Sequence, residues 1–232
     1  MPKFCLTKNT TTLGKHVLYQ IKALETFDIC HETKVNVVVE KGTLGGYIEK
    51  VTNLSKIGPC WVQPDSFVTG DAVVKGNSVI NNSKILGTSV VDNTLVYNSD
   101  IRGSAVVVDS FVWNSNVNGK TTVKNSRLFE SKITGKASLL DCTINSSDIE
   151  ENAIICGQDT RVESSTVKGY THIRSGKLFE STVAGNSIIS GILQYSEIVD
   201  CRISGEVYNT SIDGKVVGKG TVIGTMSTHG KL

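Results

Sequence analysis

A count constrains this 232-residue chain more than its composition does. In the stretch NSDIRGSAVVVDSFVWNSNVNGKTTV, Asn98 to Val123, the apolar residues Ile101, Val107, Val112, Val117 and Val123 recur at steps of 6, 5, 5 and 6. Two positions before each stands a small residue: Ser99, Ala105, Ser110, Ser115 and Thr121. The spacing runs from Ile57 to Ile155, slips once before Val162, and continues more loosely to Ile212. Between Ile85 and Ile149 every third marker falls at the same interval, at Ile85, Ile101, Val117, Ile133 and Ile149. Neither an amphipathic helix nor a plain alternating strand has such a period.

The count predicts an all-β, single-stranded triangular β-solenoid. In a strand, residues i and i−2 face the same way, so each step is a short strand with one small and one branched inward side chain. Three steps close a coil of about 16 residues, and the next coil stacks about 4.8 Å above it. Three inward ladders follow: Ile85–Ile101–Val117–Ile133–Ile149, Val91–Val107–Val123–Leu139–Ile155 and Val96–Val112–Leu128–Ile144. A narrow prism cannot hold six large side chains per coil, which accounts for the small partners. The corners are also legible. The six-residue steps carry Gly87, Gly103, Gly119, Gly135, Gly169 and Gly185 two after their first marker, where a left-handed backbone is needed. The five-residue steps carry Asn93, Asn98, Asp109, Asn114, Asn125, Glu130 and Asp141 there. Asn and Asp tolerate that conformation best among non-glycine residues.

The ends lack the small-x-apolar step. Residues 1–50 read as an N-terminal β capping segment, 51–212 as the solenoid, and 213–232 as a C-terminal cap or tail, all in one domain. A capped end hides strand edges that would otherwise invite stacking. With 24 basic and 22 acidic residues, global charge points to neither nucleic acid nor a membrane surface. No apolar run is long enough for a transmembrane helix, and MPKFCLTKNTTTLGKH has no signal-peptide core. The six cysteines lack metal-site spacing and read as free thiols of a reducing cytosol. The expectation is a cytoplasmic protein with no metal site.

The stretch LYQIKAL…GTLGGYIEKVTNLS, Leu18 to Ser55, resembles the opening segment of the YdcK-like family, with its L-G-G-[YW]-I-E…NLS pattern. The repeats VTGDAV (Val68 to Val73) and VKGNSV (Val74 to Val79) fit that family's V-x-G-N-A-x type. Such proteins occur in bacteria and in phage genomes, resemble hexapeptide-repeat left-handed β-helices, and are commonly labelled transferases on that ground. The resemblance implies a left-handed coil and a phage-type protein. Two features depart from hexapeptide acyltransferases. Glycine falls two after the marker rather than directly after it, and the 6-5-5 coil is shorter than the three hexapeptides that close a coil there.

The resemblance also implies a histidine base in an inter-subunit cleft of a trimer, with an acyl-CoA as cofactor. Of His16, His31, His172 and His229, His172 alone lies within the repeats; it precedes marker Ile173 and is expected to point outward. An imidazole near neutrality suits removal of an acceptor's proton. Lys168, Arg174 and Lys177 beside it, with Arg161 in the irregular stretch ICGQDTRVESS, form a candidate site for a small anionic ligand or a CoA phosphate. The irregular stretch itself reads more simply as an accommodated insertion, and His172 more simply as a surface residue among solvated charges. Cys60, Cys142 and Cys201 sit two before markers and are expected as core filler.

The outer surface is more informative. Tyr97, Trp113 and Phe129 are spaced by 16, as are Phe179 and Tyr195. Val79, Leu95 and Phe111 occupy the neighbouring outward position. Together, Val79, Leu95, Tyr97, Phe111, Trp113 and Phe129 predict one apolar patch, larger than a monomer normally exposes. Either the N-terminal segment folds over it or a partner covers it. The favoured expectation is a non-enzymatic binding or scaffold protein. It would use this aromatic face for homo-oligomerisation, as a dimer or trimer, or for host-protein binding, and would need no cofactor. The alternatives are the acyltransferase and the anion binder.

Overall fold

A computed structural model describes residues 2–30, 36–150 and 152–156 with their side chains, and largely as backbone the strands from Ile154–Glu163 to Val222–Ile223. The chain divides into two units, Met1–Gly119 and Lys120–Leu232. Both are β-solenoids, and the described residues hold strands, turns and a single 3-10 turn at Val51–Asn53.

In the first unit three rows of parallel strands make three faces. The first row is Leu44–Ile48, Phe67–Val68, Lys84–Ile85, Asp100–Ile101 and Asn116–Val117. The second is Val73–Lys75, Val90–Asp92 and Val106–Val108. The third is Trp61–Val62, Val79–Asn81, Leu95–Tyr97 and Phe111–Trp113. In the second unit the same arrangement recurs, and its last described rung, Val222–Ile223 on Val207–Tyr208, lies beyond residue 212.

The ladders stand as the count requires. Ile85 pairs with Ile101 and Ile101 with Val117. Ile133 pairs with Ile149, Val123 with Leu139, and Leu128 with Ile144. All of these side chains have no exposed surface. The irregular stretch is an insertion taken up inside a strand. Leu140 pairs with Cys156, one regular coil on, but Cys142 pairs with Thr160, two positions beyond the regular count, with the shift between them.

The corners have a physical cause in each step type. Gly87 and Gly103 have φ of 79° and 74°, and a Cβ on Gly87 would stand 2.6 Å from the carbonyl oxygen of Gly103 in the next coil. The same carbonyl contact recurs between Gly103 and Gly119 at 2.8 Å. Asn93, Asn98, Asp109 and Asn114 take φ of 47–50°, and Glu130 joins them at 50°. These corner amides also bond between coils: Asn82 Nδ2 donates to Asn98 Oδ1 at 2.8 Å, and Asn125 Nδ2 to Asp141 Oδ1 at 3.0 Å.

The N-terminal segment is more than a lid. Strands β1 (Phe4–Leu13) and β2 (His16–Ala23) are antiparallel. Strands β3 (Phe27–Cys30) and β4 (Asn36–Val39) form a separate hairpin. Strand β5 (Leu44–Ile48) pairs antiparallel with β2 and parallel with Phe67–Val68. The first rung of the solenoid is therefore already present before residue 51.

Candidate functional site: an aromatic outer face

On the third face of the first unit, inward Ile80, Val96 and Val112 alternate with two outward columns. One column is Trp61, Val79, Leu95 and Phe111; the other is Asn81, Tyr97 and Trp113. The expected exposed patch is smaller than the spacing suggested. Val79 and Leu95 are 1% and 0% exposed, so protein covers them from outside. The hairpin β3–β4 meets the start of this face. Phe27 meets Trp61 edge-on with ring centroids 5.7 Å apart, and Asn77 Nδ2 donates to the Cys30 carbonyl at 3.1 Å. Along the hairpin, Ile29 and Val39 are buried and Phe27 and Val37 partly so, whereas the alternate residues Asp28, Cys30, Asn36 and Val38 are exposed. Period-2 alternation thus lays one apolar side of the hairpin on the solenoid.

Next to Leu95, Tyr97, Phe111 and Trp113 make one cluster, with centroids 5.7 Å apart for Tyr97–Trp113 and 6.0 Å for the other two pairs. Tyr97 and Phe111 are half-buried, and Trp113 is 41% exposed. Burial among the neighbouring rings pushes the Tyr97 hydroxyl pKa above its ordinary value. Phe129 is half-buried in the second unit. Phe179 ends a strand in register with Glu163, and Tyr195 lies outside the described residues.

The anion candidates are placed as backbone only. Arg161 and Lys177 are register partners in adjacent coils, and Arg174 is the partner of Cys156. His172 pairs with Ile154 as backbone; its side chain and Lys168 lie outside the described residues. Cys60 and Cys142 are buried as expected of core filler. Burial pushes the Cys142 thiol up to about 11 and the Cys60 thiol upward, which keeps both as poor nucleophiles at neutral pH. Among the described residues no three His, Cys, Asp or Glu gather as a metal site, and no helix is long and apolar enough to cross a membrane.

The glycines and acid of the opening motif turn out to build the first coil. A Cβ on Gly45 would stand 2.6 Å from the Val62 carbonyl, and one on Gly46 2.5 Å from those of Gln63 and Ser66. Buried Asn53 donates to the carbonyls of Gly70 (3.0 Å) and Ala72 (2.8 Å) and accepts from Lys50 N (2.8 Å). Glu49 accepts from Gly70 N at 2.6 Å and meets His16 Nδ1 at 3.0 Å. Lys3, only 4% exposed, donates to the carbonyls of Gly58 and Cys60 at 2.6 and 2.9 Å. Lys3 and His16 had no sequence signal, since their partners lie far along the chain.

No protein-family model matches the chain, and no curated protein matches it.

Proposed function

We propose that the protein is a non-catalytic binding or scaffold protein, of the phage type its opening segment resembles, acting through the aromatic outer face of its first unit. The observation that carries this reading is the cluster of Tyr97, Phe111 and Trp113 on the third face, with Trp113 41% exposed. Large aromatic side chains dominate the energetics of protein interfaces, and an indole left 41% in water gains from a cover. The solenoid backbone holds the three rings in fixed register, so little ordering entropy is lost on binding. The same face serves homo-oligomerisation or capture of a host protein. The protein carries this out in the cytoplasm, without a cofactor.

The test is the double substitution Phe111→Ser with Trp113→Ser. Both residues are outward and neither belongs to an inward ladder. Expected are an unchanged β circular-dichroism spectrum and a loss of association, read as solution mass by light scattering and as capture of host proteins on an immobilised chain. Association that persists at wild-type strength would remove the aromatic face from the account.

A further inference from the structure

The glycine corners of the six-residue steps are alike in backbone but not in sequence. Leu86, Arg102, Asn118 and Thr134 precede Gly87, Gly103, Gly119 and Gly135 there. Asn118-Gly119 is the one Asn-Gly pair of the chain. Asn118 is exposed, and Gly119 is left-handed with φ of 98°. At Gly87 and Gly103 the flanking amides are tied to the next coil. Leu86 N and Thr88 N donate to the carbonyls of Ile101 and Gly103 at 2.8 and 2.7 Å, and Arg102 N and Ser104 N to those of Val117 and Gly119, both at 2.8 Å. Among the described bonds the amides of Gly87, Gly103 and Gly119 themselves donate to no partner. A Cβ on Gly103 would stand 2.9 Å from Gly119 N, so the glycine at 103 keeps that nitrogen uncovered on the side of the preceding coil. Asn98 and Asn114 are placed differently. They precede Ser99 and Ser115, which are buried and whose amides donate to the hydroxyls of Ser83 and Ser99 at 3.0 and 2.9 Å.

We infer that Asn118 is a site of spontaneous covalent modification, in which the Gly119 amide nitrogen cyclises onto the Asn118 side chain. This holds whatever the aromatic face binds. The nitrogen gives up its proton and bonds to Asn118 Cγ. The Cγ–Nδ2 bond breaks, and the displaced amino group takes up a proton and leaves as ammonia. Water then opens the resulting succinimide. Attack at Cγ restores the peptide bond and leaves aspartate; attack at the main-chain carbonyl leaves isoaspartate, with the chain running through Cγ. One water is consumed and one ammonia released, with no change of oxidation state. Both products put a negative charge on an exposed corner. Isoaspartate also adds one carbon to the main chain between Val117, in register with Ile101, and Gly119, whose carbonyl accepts from Ser104 N. Asn98 and Asn114 are spared, because the nitrogen that would attack is buried and committed to a hydroxyl.

The test incubates the folded full chain beside a peptide of residues 110–122, which carries both Asn114-Ser115 and Asn118-Gly119, in mildly alkaline buffer. Mass spectrometry of proteolytic fragments reads the fraction of each amide converted to acid, and chromatography separates aspartate from isoaspartate. At Asn118 the full chain is expected to convert within about tenfold of the peptide's rate, a barrier raised by no more than about 1.4 kcal/mol. At Asn114 the full chain is expected to fall below the peptide by more than that factor. Asn118→Gln lengthens the side chain by one methylene at an exposed position; it should keep the circular-dichroism melt and lose the conversion. Suppression at Asn118 beyond that factor means that the corner holds Gly119 N away from Cγ, and overturns the inference. Equal retention at both asparagines makes the reaction a property of the local sequence rather than of the corner, and overturns it as well.

Discussion

Ser99 has a task that its size alone does not reveal. It fills a slot that takes a small side chain, as the spacing implies, but its hydroxyl also donates to the Tyr97 carbonyl at 2.6 Å and accepts from Ser115 N at 2.9 Å. The same pattern links Ser78 to Thr94 and Thr94 to Ser110. Each hydroxyl adds a second bond to a carbonyl beside a left-handed corner, which already accepts an amide of the next coil, and itself accepts from a buried amide of that coil. Sequence shows a small polar residue; only stacking shows its two partners. Glu49 carries a testable consequence at this scale. Its bonds from His16 and from Gly70 N hold its pKa below the ordinary 4.5, with the neighbouring Lys50 charge acting the same way. A carboxylate depressed on folding adds stability above its unfolded pKa, and that stability is lost as pH falls through the folded value. Melts from about pH 6 to about pH 3 should therefore fall more steeply for the wild type than for Glu49→Gln, which keeps an acceptor for Gly70 N. Parallel curves would mean that the contact is not linked to folding.

At the scale of the coil, the two corner types differ in what they demand. At Gly87 the backbone is left-handed and the next coil's carbonyl lies where a Cβ would go. Gly87→Ala adds both strain and a clash, a loss of about 1–3 kcal/mol or more. At Asn98, φ is 47° and the side chain accepts from Asn82 Nδ2 at an exposed position. Asn98→Gly relieves the backbone while losing one exposed bond, so its effect should stay within about 1 kcal/mol. Denaturant midpoints of the two variants measure the contrast, and equal losses would contradict it. These corners were legible because one residue type meets one backbone need. The ladders were legible for the same reason, since period fixes facing. The burial of Val79 and Leu95 was not. Alternation places them outward correctly, but a strand's own pattern carries no sign of what another part of the chain lays over it. The opening motif was legible as a motif only. That Gly45 and Gly46 make room for the Val62, Gln63 and Ser66 carbonyls depends on a coil not yet formed at that point of the chain.

Across the whole molecule the coil length is the governing quantity, because every outward row depends on it. A constant coil length brings Tyr97 to Trp113 and Leu95 to Phe111. The departure at Ile154–Glu163, where Cys142 meets Thr160 and Ile144 meets Val162, lengthens the coil by two without moving the inward markers out of register. The shift is confined between Leu140 and Cys142 on one strand, as in a β-bulge, and pairing resumes on both sides. Such an insertion is separable from the fold. Deleting Gly157 and Gln158 should restore the regular coil with a stability change within about 1 kcal/mol, a shift of about 2–4 °C in the thermal midpoint. The deletion leaves the first unit and its aromatic cluster untouched, so association through Trp113 should be unchanged in light scattering. Loss of the cooperative melt would show that the longer coil is a required corner of the solenoid. Loss of association with an intact melt would move the binding surface to the second unit, where Arg161 and Lys177 stand in adjacent coils.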